Sequence, residues 1–208
     1  MSTSNVQALS STQIASLLTS QINALTTFQG LSLTSSEIGV LSTQQIVALK
    51  TSVLATLSTV QIAEFQSNQI SALTAAQSPA LTTAQLNALN TANLILLSGA
   101  AIGALTTAQV NGLSTANATA LTTGQIQSLT TSQVASLNTV DLNVITGYEI
   151  QSLNSAQLQA ITTQQLQSLG TQQINNLTYA QFTQLTTAQT ASLTTTQLLS
   201  LPLIEIQS

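Results

Sequence analysis

The chain has 208 residues, of which 3% are charged, and its five acidic residues and single base, Lys50, give a net charge of −4. With no Cys or His, it cannot form disulfides, Cys/His metal sites or histidine-based acid–base catalysts. One lysine cannot form the basic stripe that binds nucleic acid, so we exclude nucleic acid as a partner. Ordinary soluble domains are about 25% charged, so little charge repulsion keeps copies of this chain apart and we expect self-association.

The sequence consists of an eight-residue repeat. Counted from Met1 it divides into 26 octads, and the phase never changes. Position 1 is Leu in 22 octads, position 2 is Ser, Thr or Asn in 21, and position 5 is Gln or Glu in 20. Position 6 is Ile, Leu, Val or Phe in 22 octads, and position 8 is Ala, Ser or Gly in 19. The consensus is therefore L-[ST]-T-x-Q-I-x-[AS].

This spacing predicts a short helix that begins again in every octad. A flat strand would place positions 1 and 6 on opposite faces, and a continuous helix repeats about every 3.6 residues, which two turns per octad do not match. Positions 2 and 5 instead match the capping box, in which the hydroxyl accepts from the N3 amide and the Gln or Glu accepts from the N-cap amide. Positions 1 and 6 then form the hydrophobic staple.

Four of the five acidic residues support this register. Glu37, Asp141, Glu149 and Glu205 all stand at position 5, the N3 site where a carboxylate interacts favourably with the positive end of the helix dipole. We therefore predict that these carboxylates cap helices rather than catalyse a reaction.

The predicted fold is an all-α solenoid of 26 very short capped helices, one per octapeptide, with three or four octads in each coil. Helices this short do not survive alone, so successive octads must stack and bury one another's apolar side chains. We predict a single solenoid over residues 1–208. The alternative is a β-solenoid with two octads per coil and glutamine ladders inside, because Thr and Ile suit strands and polar ladders stabilise stacked sheets.

Four octads depart from the consensus: residues 49–56, 73–80, 97–104 and 201–208. The first carries Lys50 at the cap position and Val53 in place of Gln. Pro79 stands where a helix needs its last amide, so that octad should be frayed or kinked. Residues 94–105 are the most apolar window, but these twelve residues fall short of the roughly 20 that cross a bilayer, and no signal peptide is visible. We predict no membrane span.

Neither end of the chain has an evident capping repeat. The first octad, MSTSNVQA, resembles an ordinary one, and the last, LPLIEIQS, is more apolar than average. An uncovered coil face at each end would make a head-to-tail contact that generates an open filament. The predicted end-face residues are Met1, Val6, Leu9, Leu201, Leu203, Ile204 and Ile206.

The sequence offers no catalytic, cofactor-binding or metal-binding residues, and we predict that the protein is not an enzyme. Its many hydroxyl groups have no histidine beside them to act as a base. Asp141 and Glu149 are the only carboxylates whose spacing invites a glycosidase-type pair or a weak calcium site. We expect neither, because equivalent positions on successive helices point to different sides of a coil.

The octads LTTAQLNA, LTTGQIQS, LTTSQVAS and ITTQQLQS resemble the LTTxQ-type octapeptide arrays of long bacterial exoproteins, which are adhesion-related or surface repeat proteins. The resemblance covers the whole chain. It implies a cell-surface or extracellular location and a structural or adhesive role, with other surface or matrix components as further partners. It implies no catalytic or binding residue.

We therefore expect a non-enzymatic structural protein whose solenoids associate head to tail into filaments, or serve as a stalk in adhesion and biofilm. The alternative is an ice- or surface-binding rod that uses its regularly spaced threonines, although capping occupies most position-2 hydroxyls. An enzyme or small-ligand module is the third class, and the composition nearly excludes it.

Overall fold

A computed structural model describes residues 2–201 of the chain. Within these residues the chain is all-helical, with 24 α-helices, one 3₁₀ segment and no strand. Each octad up to residue 200 contributes one helical segment. The predicted all-α solenoid is therefore confirmed, and the alternative β-solenoid is wrong for the described part of the chain.

The chain forms two compact units, Met1–Leu105 and Thr106–Ser208. The helices of the first unit are α1 (Thr3–Gln7), α2 (Ser11–Ala15), α3 (Thr19–Asn23), α4 (Thr27–Ser32), α5 (Ser35–Gly39), α6 (Thr43–Ala48), α7 (Thr51–Leu54), α8 (Thr59–Ala63), α9 (Ser67–Ala72), α10 (Thr83–Ala88), α11 (Thr91–Leu94) and α12 (Gly99–Gly103). The 3₁₀ segment, Ser78–Ala80, lies between α9 and α10.

The second unit contains an equal number of helices up to residue 201. They are α13 (Thr107–Asn111), α14 (Thr115–Ala120), α15 (Thr123–Ser128), α16 (Thr131–Ser136), α17 (Thr139–Val144), α18 (Gly147–Gln151), α19 (Ser155–Ala160), α20 (Thr163–Ser168), α21 (Thr171–Asn175), α22 (Tyr179–Thr183), α23 (Thr187–Ser192) and α24 (Thr195–Ser200). The single solenoid over residues 1–208 stays a prediction.

Most helices begin at the predicted caps. Before α6, Ser42 has extended backbone angles of φ −69° and ψ 162°, and its hydroxyl accepts a hydrogen bond from the Gln45 N–H at 3.2 Å. The Gln45 Oε1 accepts in return from the Ser42 N–H at 2.7 Å. The same reciprocal pair begins α20, at Thr162 and Gln165. Since two side chains satisfy two N–H groups of the first turn, a helix can begin immediately after a buried leucine.

Helices three octads apart pack against each other. In the first unit α1 packs on α4, and α9 packs on α11 across the intervening 3₁₀ octad. In the second unit the same spacing joins α13 to α16 and α21 to α24. One coil in each unit therefore contains three octads, which decides between the predicted three and four.

Positions 1 and 6 of the octads form the core. The position-6 side chains of Ile14, Ile46 and Ile174 are fully buried, and the position-1 leucines from Leu25 onward are nearly so, with Leu41 3% exposed. Burying a large aliphatic side chain contributes about 1.5–3 kcal/mol relative to leaving it in water. Stacking of the coils, rather than the intrinsic stability of five-residue helices, therefore holds the fold together.

The departures from the consensus alter the structure locally. Because Pro79 lacks a backbone N–H, its octad forms only the short 3₁₀ segment, in agreement with the predicted irregularity. Lys50 gives α7 no side-chain cap, and this helix has only four residues. Val53, which replaces the usual glutamine, packs against Gly30 of α4, where a Cβ atom would overlap the valine Cγ1.

Candidate functional site

The position-5 glutamines form a second set of hydrogen bonds, which run between coils. While Oε1 caps its own helix, Nε2 donates to two backbone carbonyls that lie 31 and 28 residues earlier in the chain. These carbonyls belong to position 6 of one octad and position 1 of the next, where a helix of the preceding coil ends. We call this two-sided contact of the position-5 side chain the glutamine clasp.

The clasp has nearly constant geometry in both units. In the first unit, Gln69 Nε2 lies 2.8 Å from the Ile38 oxygen and 2.7 Å from the Leu41 oxygen. In the second, Gln165 Nε2 lies 3.0 and 2.7 Å from the oxygens of Val134 and Leu137. Both bonds also occur at Gln45, Gln61, Gln77, Gln85, Gln157, Gln173, Gln189 and Gln197.

The clasp satisfies backbone groups that very short helices leave unpaired. The last four carbonyls of a helix have no partner within it, and the described α-helices have only four to six residues. A buried carbonyl without a hydrogen bond costs about 1–3 kcal/mol. Because each glutamine amide supplies two donors to the coil before it, successive coils are joined by directional hydrogen bonds as well as by apolar packing.

The sequence predicts only the capping half of this contact. A signal for the other half is nevertheless present, because a capping box accepts Glu as well as Gln and the helix dipole favours Glu. Gln is far more common than Glu at position 5 of this chain. Only the amide carries the two hydrogens that the carbonyls of the preceding coil can accept.

Two of the position-5 carboxylates make the capping half alone. Glu37 Oε2 accepts from the Thr34 N–H, and Glu149 Oε2 accepts from the Thr146 N–H, both at 2.7 Å. Their predicted capping role is confirmed. A carboxylate has no hydrogen to donate, so neither residue can bond the carbonyls of the preceding coil.

Asp141 begins its helix differently from the predicted capping box. Its side chain is one carbon shorter than that of Glu, and it accepts from the Asn138 side-chain Nδ2 at 2.5 Å instead of from the backbone N–H. Asn138 Oδ1 accepts from the Asp141 N–H at 2.8 Å, so the N-cap itself is present. Glu205, the fourth predicted capping acid, lies outside the described residues.

In the first coil the donor half of the clasp faces solvent. Gln13 and Gln21 accept from the N–H groups of Ser10 and Leu18, both at 2.8 Å, and both glutamine side chains are exposed. Among residues 2–201, no carbonyl accepts a hydrogen bond from either Nε2 group. These amides present free donors in the arrangement that binds a coil elsewhere in the chain.

The predicted end-face residues have different surroundings. Val6 is fully buried and Leu201 is 7% exposed, whereas Leu9 is half-buried. Met1, Leu203, Ile204 and Ile206 lie outside the described residues. At the first coil, the exposed polar groups of Gln13 and Gln21 therefore offer a more accessible contact than the buried side chain of Val6.

Groups typical of other kinds of site are few. In the part of the chain that the structure describes, no group of three or more His, Cys, Asp or Glu residues could hold a metal ion. Asp141 and Glu149, the two carboxylates considered as a pair, are each hydrogen-bonded at the start of their own helix. None of the described helices is long and apolar enough to cross a membrane.

The repeat has a counterpart among known protein families. The family model of the ALTTAQ repeat matches residues 79–115, a segment that contains the octads LTTAQLNA and LTTAQVNG. No curated protein matches the chain. The match supports assignment of the chain to a repeat family, and the packing of helices three octads apart gives this repeat the architecture of an α-solenoid.

Proposed function

We propose that the protein is a non-enzymatic structural repeat protein that associates head to tail with copies of itself, as a filament or as the stalk of an adhesin or biofilm component. The observation that carries the proposal is the polarity of the coils. Position-5 amides donate on one side of a coil, and helix-end carbonyls accept on the other. A surface of this kind is complementary to a second copy in head-to-tail order, and such contacts form open filaments when the rotation does not close.

Two features of the chain support association between molecules. Gln13 and Gln21 have exposed side chains whose Nε2 groups have no hydrogen-bond partner among residues 2–201. The net charge is only −4 over 208 residues, so electrostatic repulsion between copies is weak. The free amides can therefore approach the carbonyls of another molecule with little opposing charge.

The test replaces both free amides with carboxylates. In the variant Gln13→Glu/Gln21→Glu, the exposed face keeps its capping oxygens but offers no donors, so we expect sedimentation velocity and electron microscopy to show single particles. The wild-type chain should form filaments that lengthen with protein concentration. The control variant Gln44→Glu/Gln127→Glu adds the same charge at exposed positions outside the clasp and should assemble like the wild type. Single short particles for the wild type would overturn the proposal.

We further propose a bacterial cell-surface or extracellular-matrix location, with other surface or matrix components as additional partners. The support is the resemblance of the octads to LTTxQ-type arrays. An antibody against the chain should label intact cells of the source bacterium. Labelling that requires permeabilised cells would contradict this location.

A second candidate function is binding to ice or another ordered surface. In the second unit, position-3 threonines recur once per coil, at Thr115, Thr139, Thr163 and Thr187. Thr163 and Thr187 are exposed and lie outside the capping positions, so their hydroxyls are free to contact a surface. Measurement of thermal hysteresis tests this function, and its absence would remove the candidate.

A further inference from the structure

A groove in the second unit, which we call the wide groove, has a larger volume than its neighbour in the same unit. It lies between α18 and α21 and encloses about 590 Å³. Gly147, Tyr148 and Asn143 line it from α17 and α18, and Gly170, Gln172 and Asn176 line it from the α21 octad, with the Asn176 side chain packed against Gly147. All of these residues belong to the second unit.

The equivalent groove eight residues earlier shows what makes this one different. That groove encloses about 360 Å³ and has Thr139 and Thr162 at the positions of Gly147 and Gly170. The repeat thus loses a threonine side chain on each side of the wide groove. It gains an aromatic ring there, because Tyr148 stands where the earlier octad has Val140. At Gly147 the Asn176 side chain packs where a Cβ atom would stand, whereas a Cβ atom at Gly170 would make only an ordinary contact with Gln173 Oε1, so the extra space lies on the Gly170 side.

The floor of the wide groove is held by a complete glutamine clasp. Gln173 Oε1 accepts from the Gly170 N–H at 2.8 Å, and Gln173 Nε2 donates to the Ile145 oxygen at 2.6 Å. These bonds fix the backbone on both sides, so a ligand would meet a preformed surface and little ordering would be needed on binding.

The lining chemistry selects a neutral ligand with many hydroxyl groups. Tyr148 is 77% exposed and offers an apolar ring face together with a phenolic hydroxyl. Asn143, Gln172 and Asn176 line the groove with amide groups that can both donate and accept hydrogen bonds. Asn176 Nδ2 already donates one hydrogen to the Gln172 backbone oxygen at 2.7 Å, which leaves its second hydrogen and its Oδ1 for a ligand. None of the charged side chains among residues 2–201 lines the groove, so these residues favour a neutral ligand over an anion or a cation.

We propose that this groove binds a neutral hexopyranose unit of an oligosaccharide. A pyranose ring has a face of C–H groups that can lie on Tyr148, and its rim of hydroxyl groups matches the amides of Gln172 and Asn176. The groove has the volume of small-molecule sites, which is about 300–1,000 Å³. Binding here is independent of head-to-tail association, because the groove lies within one unit.

The binding test uses the intrinsic fluorescence of the chain. It has two tyrosines and no tryptophan, so Tyr179→Phe leaves Tyr148 as the only fluorophore. Cellohexaose, laminarihexaose, mannohexaose and N-acetylchitohexaose are titrated separately into this variant. We expect at least one of them to change the Tyr148 emission saturably, with a Kd on the order of 1 mM. No saturable change with any of the four would overturn the proposal.

Two variants and a control assign the binding to this groove. Gly170→Thr restores the consensus residue at a backbone conformation, φ −68° and ψ 156°, that other N-cap threonines share, so the protein should fold while its groove is filled. We expect this variant and Tyr148→Ala to weaken binding by about tenfold or more in saturation-transfer NMR. Val140→Ala, at the equivalent site of the narrow groove, should bind as the wild type does. Undiminished binding by Gly170→Thr, with unchanged circular dichroism, would overturn the assignment.

Discussion

The two roles of the position-5 side chain, capping through Oε1 and bonding the preceding coil through Nε2, can be tested separately by changing glutamine to glutamate. Gln165→Glu keeps an oxygen for the Thr162 N–H but removes both hydrogens that bond the carbonyls of Val134 and Leu137. A buried carboxylate would then face two carbonyl oxygens, so we expect the free energy of unfolding to fall by about 2–4 kcal/mol. Chemical denaturation followed by circular dichroism measures this loss.

The matched control for this change is Gln13→Glu in the first coil. Its Oε1 caps α2 as Gln165 caps α20, but its Nε2 has no partner among the described residues. Under conditions that keep the chain monomeric, its stability should change by no more than about 0.5 kcal/mol. If the two variants lost equal stability, capping alone would explain the preference for glutamine.

At Glu37 the opposite substitution, glutamate to glutamine, should add the missing half of the clasp. It is 7% exposed, and the carbonyls at the clasp separations belong to Val6 and Leu9. Glu37→Gln would supply two donors, worth about 1–2 kcal/mol, and would lose about 0.3–1 kcal/mol of interaction with the helix dipole. We therefore expect a higher Tm. The control Glu64→Gln, at an exposed position 8, should leave Tm nearly unchanged, and a lower Tm for Glu37→Gln would contradict the clasp.

At the scale of the helix, two glycines should respond to alanine in opposite directions. In α4, a Cβ atom at Gly30 would overlap Val53 Cγ1, whereas in α15 a Cβ atom at Gly124 would meet nothing within 4 Å. Alanine favours a helix over glycine by about 0.5–1 kcal/mol, but overpacking a core costs about 1–3 kcal/mol. Gly124→Ala should therefore stabilise the protein, and Gly30→Ala should destabilise it, as thermal melting would measure.

A double variant tests whether overlap with Val53 causes the destabilisation expected for Gly30→Ala. Adding Val53→Ala to Gly30→Ala removes the overlapping methyl groups, so the double variant should be more stable than the sum of the two single changes predicts. Strict additivity would show that a methyl group at position 30 and the Val53 side chain do not compete for the same space.

The start of each helix could be predicted from the sequence because capping is local. Ser42 and Gln45 are three residues apart, and their reciprocal bonds depend on nothing beyond one octad. The sequence predicts three or four octads per coil without deciding between them, because this number depends on how consecutive helices turn in space. The partner carbonyls of Gln69 lie 28 and 31 residues away, so the second role of the glutamine became visible only with that turn. Asp141 departs from the prediction because its side chain is shorter.

The candidate site was less predictable than the fold. Apolar residues at the chain ends lead to the predicted association face, of which Val6 is buried, whereas the amides of Gln13 and Gln21 are among the exposed groups of the first coil. Their exposed donors depend on the stacking of coils and are not visible in the sequence. The wide groove is lined by Gly147 and Gly170, which lie in octads that only the three-octad coil brings together. Their departures from the consensus are visible in the sequence, but their proximity is not.

At the scale of the whole molecule, the repeat predicts that a small deletion does more damage than a larger one. Removing residues 153–160 takes out one complete octad, so every later glutamine still meets positions 6 and 1 at separations of 31 and 28 residues. Removing residues 153–156 alone shifts the phase of the repeat. Other positions of the octad, instead of positions 6 and 1, then lie 31 and 28 residues before a later position-5 glutamine. We expect the octad deletion to keep the helical content per residue and a cooperative melt.

The half-octad deletion should instead lower the Tm and broaden the melt, because the clasps that span the deletion lose their carbonyls. Circular dichroism of both variants provides the comparison. Equal damage from the two deletions would mean that coil stacking does not depend on the phase of the octad.

Hydrogen exchange of the glutamine side-chain amides, followed by NMR of ¹⁵N-labelled protein, tests the clasp most directly. The Nε2 protons of Gln69 and Gln165, bonded to carbonyls of the preceding coil, should exchange slowly. Those of Gln13 and Gln21, which are exposed, should exchange as fast as a free amide under conditions that keep the chain monomeric. Equally fast exchange at all four glutamines would contradict the account.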